Sequence, residues 1–185
     1  MTDEGATSAV PIMHELAFVP DYRLFSVRDD QSDAAVGVVE AVAETDRVIA
    51  VSTDYAVYIR CAQDRLRTLV RLEFWDAPAR DNDEGWNTLP SHLIVCPSGY
   101  LRLGDDTGTA LGELRHPSGG GSYRVVVSHR GRVEAIAALW SIDTRQELTL
   151  PERLEAYRNN GEIEQYRIRM WREGPLPDGE PDDQT

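Results

Sequence analysis

Strict alternation of apolar and polar side chains is the feature that most constrains the fold of this chain. In residues 66–75, LRTLVRLEFW, every second side chain falls on one face: Leu66, Thr68, Val70, Leu72 and Phe74. The opposite face carries Arg67, Leu69, Arg71, Glu73 and Trp75. A period of two with one polar face is typical of a half-buried antiparallel strand.

The same alternation returns in residues 122–129, SYRVVVSH, and in residues 164–171, EQYRIRMW. Residues 91–97, SHLIVCP, form a further compact apolar run before a turn. Many short strands separated by Gly, Pro and Asp turns, with no regular alternation of strand and helix, indicate a sandwich or barrel. The sequence therefore predicts an all-β fold, mainly an antiparallel β-sandwich, with one or two short helices.

Three segments are candidates for helix. Residues 151–161 begin with Pro151, which suits a first turn, and end at Gly161, which suits a C-cap. Residues 134–142, EAIAALWSI, fit either a strand or a short helix. Residues 34–45, AAVGVVEAVAET, predict a weak helix or a loop, because the apolar spacing is poor and Gly37 interrupts it.

The charge is distributed unevenly along the chain and suggests its organisation. The net charge is −13, of which −8 falls in residues 1–46, −1 in residues 47–173 and −4 in residues 174–185. We therefore expect a mobile N-terminal arm at residues 1–15, a single β-sandwich domain at residues 16–173 and a disordered acidic tail at residues 174–185.

Composition argues against several functional classes. A nearly neutral body does not offer the basic face that binds DNA or RNA, so no nucleic-acid partner is expected. No apolar run approaches the length of a membrane helix, and the acidic N-terminus does not resemble a secretory signal. With Cys61 and Cys96 as the two cysteines, the simplest interpretation is a cytoplasmic protein with free thiols.

Five short segments together resemble a known pattern of turns and strands: residues 21–25 (DYRLF), 97–103 (PSGYLRL), 121–127 (GSYRVVV), 130–132 (RGR) and 164–171 (EQYRIRMW). The pattern resembles a group of small, poorly characterised actinobacterial proteins that is itself distantly similar to the competence protein J family. The resemblance implies a β-sandwich over about residues 16–173 and a role in inhibiting a nuclease. The motifs are structural, so the resemblance assigns no inhibitory residue.

An acidic loop flanked by tryptophans is the first candidate binding surface. It does not fit an EF-hand, because in a loop starting at Asp81 position five is Gly85 and position twelve is His92. A looser calcium site, a solvated connection and a protein-contact loop remain open, and tryptophan is favoured at interface hot spots. The candidate partner-binding residues are Trp75, Asp76, Asp81, Asp83, Glu84 and Trp86.

A candidate basic surface consists of Arg67, Arg71, Arg167 and Arg169 on the polar faces of two strands. If the strands are neighbours, these arginines form a ladder. One interpretation is cross-strand pairing with acids such as Glu73 or Glu164. The other is a surface that holds one of the protein's own acidic ends or an acidic partner.

No motif identifies catalytic, metal-ligating or cofactor-binding residues. The four histidines lack metal-ligand spacing, and we expect solvated rings at His14 and His116 and structural ones at His92 and His129. An assembly of His129 with Asp143 or Asp54 is the alternative. Cys61 and Cys96 lie in apolar strands, where cysteine is usually an inert core residue.

The sequence thus favours a non-catalytic, protein-binding or inhibitor-like protein, with a basic protein such as a nuclease or toxin as partner. One alternative is a small hydrolase or metal-dependent enzyme that uses a histidine with loop carboxylates. Another is a carbohydrate-binding module, which would require an open row of indoles drawn from Trp75, Trp86, Trp140 and Trp171. The binding hypothesis predicts an exposed apolar or aromatic patch outside the core.

Overall fold

The computed structural model describes residues 11–30, 36–79, 84–105 and 110–177. Within these ranges, the strands are β1 (Ile12–Phe18), β2 (Leu24–Asp29), β3 (Ala50–Ser52), β4 (Ala56–Arg60), β5 (Thr68–Trp75), β6 (Asn87–Thr88), β7 (His92–Cys96), β8 (Tyr100–Asp105), β9 (Ala110–Arg115), β10 (Gly121–Arg130) and β11 (Gln165–Gly174). The helices are α1 (Val38–Glu44), α2 (Arg132–Asp143) and α3 (Leu150–Asn159), with a short 3-10 turn at Asp21–Arg23.

The strands form two sheets. The first has the order β1-β5-β11-β10-β6, with β7 also pairing with β10, and the second has the order β3-β4-β2-β8-β9. The pairs within both sheets are antiparallel except β5 with β11, which run parallel. The predicted mainly antiparallel, all-β class is confirmed.

One hydrophobic core lies between the sheets. The predicted inward faces are buried: Leu66, Thr68, Val70, Leu72 and Phe74 around β5, Tyr123, Val125 and Val127 on β10, and Tyr166, Ile168 and Met170 on β11. The rings of Phe25 on the second sheet and Tyr166 on the first meet edge to face at 5.4 Å. Each buried Val, Leu, Ile, Phe or Met side chain among them contributes about 1.5–3 kcal/mol.

The helices occupy the outside of this sandwich. Ala41 of α1 packs in a small cluster with Leu24 and Tyr58 on the second sheet, so the segment predicted as a weak helix or loop is a helix. The ambiguous residues 134–142 lie in α2, and the predicted helix at 151–161 is α3, which starts with a capping box between Thr149 and Glu152. None of the helices in the described ranges is long and apolar enough to cross a membrane.

Near the N-terminus, the structure differs from the sequence-based expectations. Residues 12–15 of the predicted mobile arm belong to β1 and pair with β5, because Ile12 lies opposite Phe74 in register. His14, expected to be solvated, is therefore half-buried and meets the Phe74 ring edge-on at 5.7 Å. Residues 1–10 and 178–185, which include most of the predicted arm and tail, lie outside the described residues.

His116 was also expected to be solvated, and this prediction is wrong. Its side chain is 1% exposed and is packed between the rings of Phe74 and Tyr123, at 4.6 and 4.4 Å. Its Nδ1 accepts a hydrogen bond from the backbone N–H of Ser118 at 3.1 Å. Burial lowers the pKa of His116 to about 4.

Candidate functional site

The predicted arginine ladder exists in part, on the outer face of the first sheet. Because β5 and β11 are neighbours, Arg71 lies opposite Arg167 and Glu73 lies opposite Arg169. Arg67 precedes β5 and pairs instead with Glu162 at 3.1 Å. The sheet therefore brings three of the four predicted arginines together.

These arginines are less available than a surface ladder requires. Arg71 Nε donates to the Glu15 carboxylate at 2.7 Å across β1 and β5. Arg169 is 2% exposed, so its assignment to an exposed basic surface is wrong. Burial, followed by the nearby charge of Arg169, lowers the pKa of Arg167. The observed partners favour cross-strand pairing over an open basic face.

The acidic loop and the arginine ladder share one location. The loop leaves β5 at Trp75, which lies opposite Trp171 in register. Its far end is Trp86, whose ring lies under the guanidinium groups of Arg130 and Arg167, at 4.5 and 4.9 Å. The connection therefore starts beside Trp171, near the end of β11, and its second tryptophan packs on Arg167, near the start of β11. The two candidate surfaces are thus in contact through Trp86 and Arg167.

The predicted contact residues of this loop have different environments. Asp76 and Glu84 are exposed, whereas Asp81 and Asp83 lie outside the described residues. Trp75 and Trp86 are half-buried, and Trp75 Nε1 donates to the Glu73 carboxylate at 3.1 Å. Packing therefore accounts for both indoles, and a partner contact by this loop stays a prediction.

The carbohydrate and hydrolase alternatives gain no support from side-chain geometry. Trp171 is half-buried like Trp75 and Trp86, and Trp140 lies on a different element, α2, so no open row of indoles is formed by these four residues. In the described ranges, no group of three or more His, Cys, Asp or Glu side chains is placed to hold a metal ion.

In the part of the chain that the structure describes, the hydrogen bonds of His92 and His116 go to Ser52 and Ser118 rather than to a carboxylate. Nδ1 of His92 hydrogen-bonds the Ser52 hydroxyl at 3.1 Å, and burial lowers the pKa of His92. His129 packs against Tyr166, and burial, then Arg132, lower its pKa. Asp143, its suggested partner, bonds instead to Arg65 at 2.8 Å and to the Tyr157 hydroxyl at 2.5 Å.

A different surface, on α2, carries the exposed apolar patch that a binding protein requires. Val133, Ile136 and Trp140 are 76%, 46% and 71% exposed. They occur at spacings of three and four, so they share one helix face, while Ala135 and Ile142 are buried on the opposite side. We call Val133, Ile136 and Trp140 the α2 stripe. Sequence reasoning missed it because residues 134–142 also fitted a strand, although the 3-4 spacing was present.

A groove lies beside the α2 stripe. Its first part is a cavity of about 370 Å³ between the start of α2, the end of β4 and the residues that precede β3. The lining residues are Arg23, Thr45, Asp46, Arg47, Val48, Ile49, Arg60, Cys61, Ala62, Arg132, Val133 and Ile136. Four arginines and one aspartate line this wall, and Glu44 and the buried Glu164 pair with two of these arginines, so its net positive charge is small.

A buried polar network forms the base of this groove. The Glu164 carboxylate, 1% exposed, accepts hydrogen bonds from the Tyr166 hydroxyl and the Ala62 backbone N–H, both at 2.7 Å. Arg132 Nη1 lies 3.3 Å from the same carboxylate and donates to the Arg60 carbonyl at 2.6 Å. Paired and hydrogen-bonded on several sides, the buried charge is compensated.

The two thiols are buried in apolar surroundings. Cys61 borders the network and Cys96 ends β7; both are free and at most 1% exposed. Burial, followed by the nearby carboxylate of Glu164, raises the pKa of the Cys61 thiol, and burial raises that of Cys96 to about 12. A protonated, enclosed thiol is a poor nucleophile, so the expectation of inert core cysteines agrees with their environment.

Comparisons with known proteins bear on the fold. No family model matches the chain, and no curated protein sequence matches it. Two solved structures are similar to it: ComJ from Bacillus subtilis, an inhibitor of the DNA-degrading activity of NucA, and the product of crocagin biosynthetic gene J.

The two likenesses are similar in extent. ComJ has a TM-score of 0.54 and 10% identity, and the crocagin protein has 0.52 and 16%. In both cases 89% of this chain and 99% of the other are covered. The chain therefore shares the ComJ fold and is distantly similar to ComJ, as the motifs in its sequence suggested.

Proposed function

We propose that this chain is a non-catalytic binding protein with an inhibitor-like role, and that it contacts its partner through the α2 stripe. The observation that carries the proposal is the exposure of Val133, Ile136 and Trp140 on one helix face outside the core. Contiguous apolar exposure of this kind marks interaction sites, and tryptophan is enriched among the residues that dominate binding energy.

The proposed partner is a basic protein of the nuclease or toxin class. The distant similarity to ComJ, an inhibitor of a nuclease, supports this class. The net charge of −13 supports it as well, because opposite net charges accelerate encounter. The exposed Asp76 and Glu84 form a predicted second contact. We further propose a cytoplasmic location, which the two unpaired thiols support.

Affinity capture tests the proposal. The full chain is immobilised and exposed to lysate of the organism that encodes it, and DNA degradation by any retained nuclease is measured with and without added chain. We expect the chain to retain a basic nuclease or toxin. If the retained protein is a nuclease, its DNA-degrading activity should be at least tenfold lower in the complex. The double variant Val133→Asp, Trp140→Ala should retain less than a tenth as much partner.

The matched control is Val39→Asp, because Val39 is equally exposed, at 77%, but lies on α1. It should retain as much partner as the wild type. Two results contradict the proposal: no protein is retained, or retention is the same in the double variant as in the control.

A further inference from the structure

The arginine groove beside the α2 stripe contains a cation that its own carboxylates do not neutralise. Arg47 pairs with Glu44 at 3.0 Å, Arg60 with Asp46 at 2.9 Å, and Arg132 with the buried Glu164. Across the described parts of the chain, no carboxylate forms a salt bridge with Arg23. A guanidinium at the wall of a cavity, with its five donors uncommitted to an acid, suits recognition of an external carboxylate.

The backbone that places Arg23 on this wall is strained. Tyr22 and Arg23 have consecutive positive φ values of 47° and 60°, a conformation costly for residues with a Cβ. The Cys61 N–H donates to the Arg23 carbonyl at 2.7 Å, which holds the turn against β4. Each such residue costs on the order of 1–3 kcal/mol, and strain of this kind concentrates at ligand-binding positions.

The groove continues beyond the first cavity. A second cavity of about 400 Å³ shares residues 47–49 with the first and extends past Leu89 and Pro90 to His92. The shared segment includes Val48, which is 44% exposed, and the opposite wall includes Val133 and Ile136 of the α2 stripe. A binding site of this shape and composition favours an elongated occupant with both carboxylates and apolar side chains.

We propose that the groove binds an acidic peptide segment, with a carboxylate on Arg23 and an aliphatic or aromatic side chain against Val133 and Ile136. The inference rests on the proposed function in one respect, since it takes the segment to be an acidic stretch within the otherwise basic partner that contacts the α2 stripe. A polynucleotide is the less suitable occupant, because it carries a phosphate at every nucleotide, whereas three of the four groove arginines are already paired with carboxylates of the chain.

Fluorescence polarisation with a labelled nonapeptide, in which aspartate alternates with leucine and phenylalanine, tests this inference. The wild-type chain should bind it at least tenfold more tightly than a peptide with asparagine at the aspartate positions. Arg23→Glu should raise the dissociation constant of the acidic peptide at least tenfold. Arg158→Glu, which reverses an exposed arginine on α3, should leave the dissociation constant unchanged. A labelled single-stranded DNA of twelve nucleotides is the third probe.

Three results overturn the inference: the acidic and neutral peptides bind equally, Arg23→Glu binds the acidic peptide as the wild type does, or the DNA is the tighter ligand. The peptide assay does not depend on partner capture. If the α2 double variant loses the partner while Arg23→Glu changes neither partner nor peptide binding, the groove inference fails and the proposed function stands. If the α2 variant retains the partner, the proposed function fails independently of the peptide result.

Discussion

Arg132 Nη1 lies 3.3 Å from the carboxylate of Glu164, and this contact joins two of the segments on which the sequence resemblance rests. Arg132 belongs to the RGR segment at the start of α2, and Glu164 and Tyr166 belong to the segment that becomes β11. The Tyr166 hydroxyl also lies 3.0 Å from the Arg60 carbonyl oxygen, which places both segments against β4. These residues of the two segments are therefore structural: they fix α2, and with it the α2 stripe and the groove.

Removing Arg132 should destabilise the fold. In Arg132→Ala the Glu164 carboxylate stays buried without its cation, and leaving a buried charge unpaired costs a few kcal/mol. We expect the free energy of unfolding in urea at pH 7 to fall by about 2–4 kcal/mol. The control, Arg158→Ala, removes an exposed arginine and should change it by less than about 0.5 kcal/mol. Equal stability of the two variants would show that Glu164 does not need this cation.

Burial of His116 should make the stability depend on pH. The pKa of His116 is about 4 in the fold, and that of a free histidine is about 6.5, so between these values the unfolded chain binds a proton that the native chain does not. The stability that depends on an unprotonated His116 is fully present above pH 6.5 and is lost as the pH falls towards 4. The loss is about 3 kcal/mol, because each pKa unit corresponds to about 1.4 kcal/mol.

The variant His116→Gln isolates this effect, since it removes the titrating ring and can still accept a hydrogen bond from Ser118. Urea unfolding at several pH values between 4 and 7.5 gives the measurement. Between pH 7.5 and pH 4, the free energy of unfolding should fall by about 3 kcal/mol more in the wild type than in the variant. Parallel curves would mean that His116 protonates equally in both states. His92 and His129 have lowered pKa values and are present in both proteins, so their contribution cancels.

These residues also show how far the sequence could predict the structure. Alternation identified the buried faces of β5, β10 and β11, because the direction of a strand side chain depends only on its own position. It could not reveal that β5 and β11 pair in parallel, or that Arg169 is buried, because pairing depends on distant segments. The burial of His116 could not be predicted for the same reason. Its Pro- and Gly-rich surroundings indicate a turn, but they do not reveal which rings pack against it.

Gly131 should tolerate no side chain. Its φ is 72°, and a Cβ built there would lie 1.9 Å from the Ile163 carbonyl oxygen. We expect Gly131→Ala to cost about 3 kcal/mol or more, from backbone strain together with this overlap, and to lower the melting temperature accordingly. Gly85→Ala is the matched control, because Gly85 has a φ of 79° and none of the described residues lies within 4 Å of the added atom.

The control separates the cost of the left-handed backbone conformation from the cost of the overlap with Ile163. Gly85→Ala should cost only about 1 kcal/mol, the penalty of the left-handed conformation alone. If both variants melt at the same temperature, the close approach of Ile163 has no energetic consequence, and the junction between β10 and α2 is more adaptable than its geometry implies.

Replacing Trp86 should lower stability without affecting partner binding, whereas replacing Trp140 should have the opposite effect. Trp86 contacts Arg130 and Arg167, and cation–π contacts contribute roughly 0.5–2 kcal/mol each, so Trp86→Ala should lower the free energy of unfolding by about 2 kcal/mol. Trp140 is 71% exposed, so Trp140→Ala should change it by less than about 0.5 kcal/mol. Chemical denaturation of the two variants gives both values.

Partner retention completes the comparison. Trp140→Ala should weaken capture of the partner at least tenfold, whereas Trp86→Ala should leave capture unchanged at temperatures where the variant is folded. The reverse pattern, with capture lost in Trp86→Ala and kept in Trp140→Ala, would move the interface from α2 to the acidic loop. Trp140 and Trp86 therefore decide between the two candidate surfaces, because one is open to a partner and the other is occupied by arginines of the same chain.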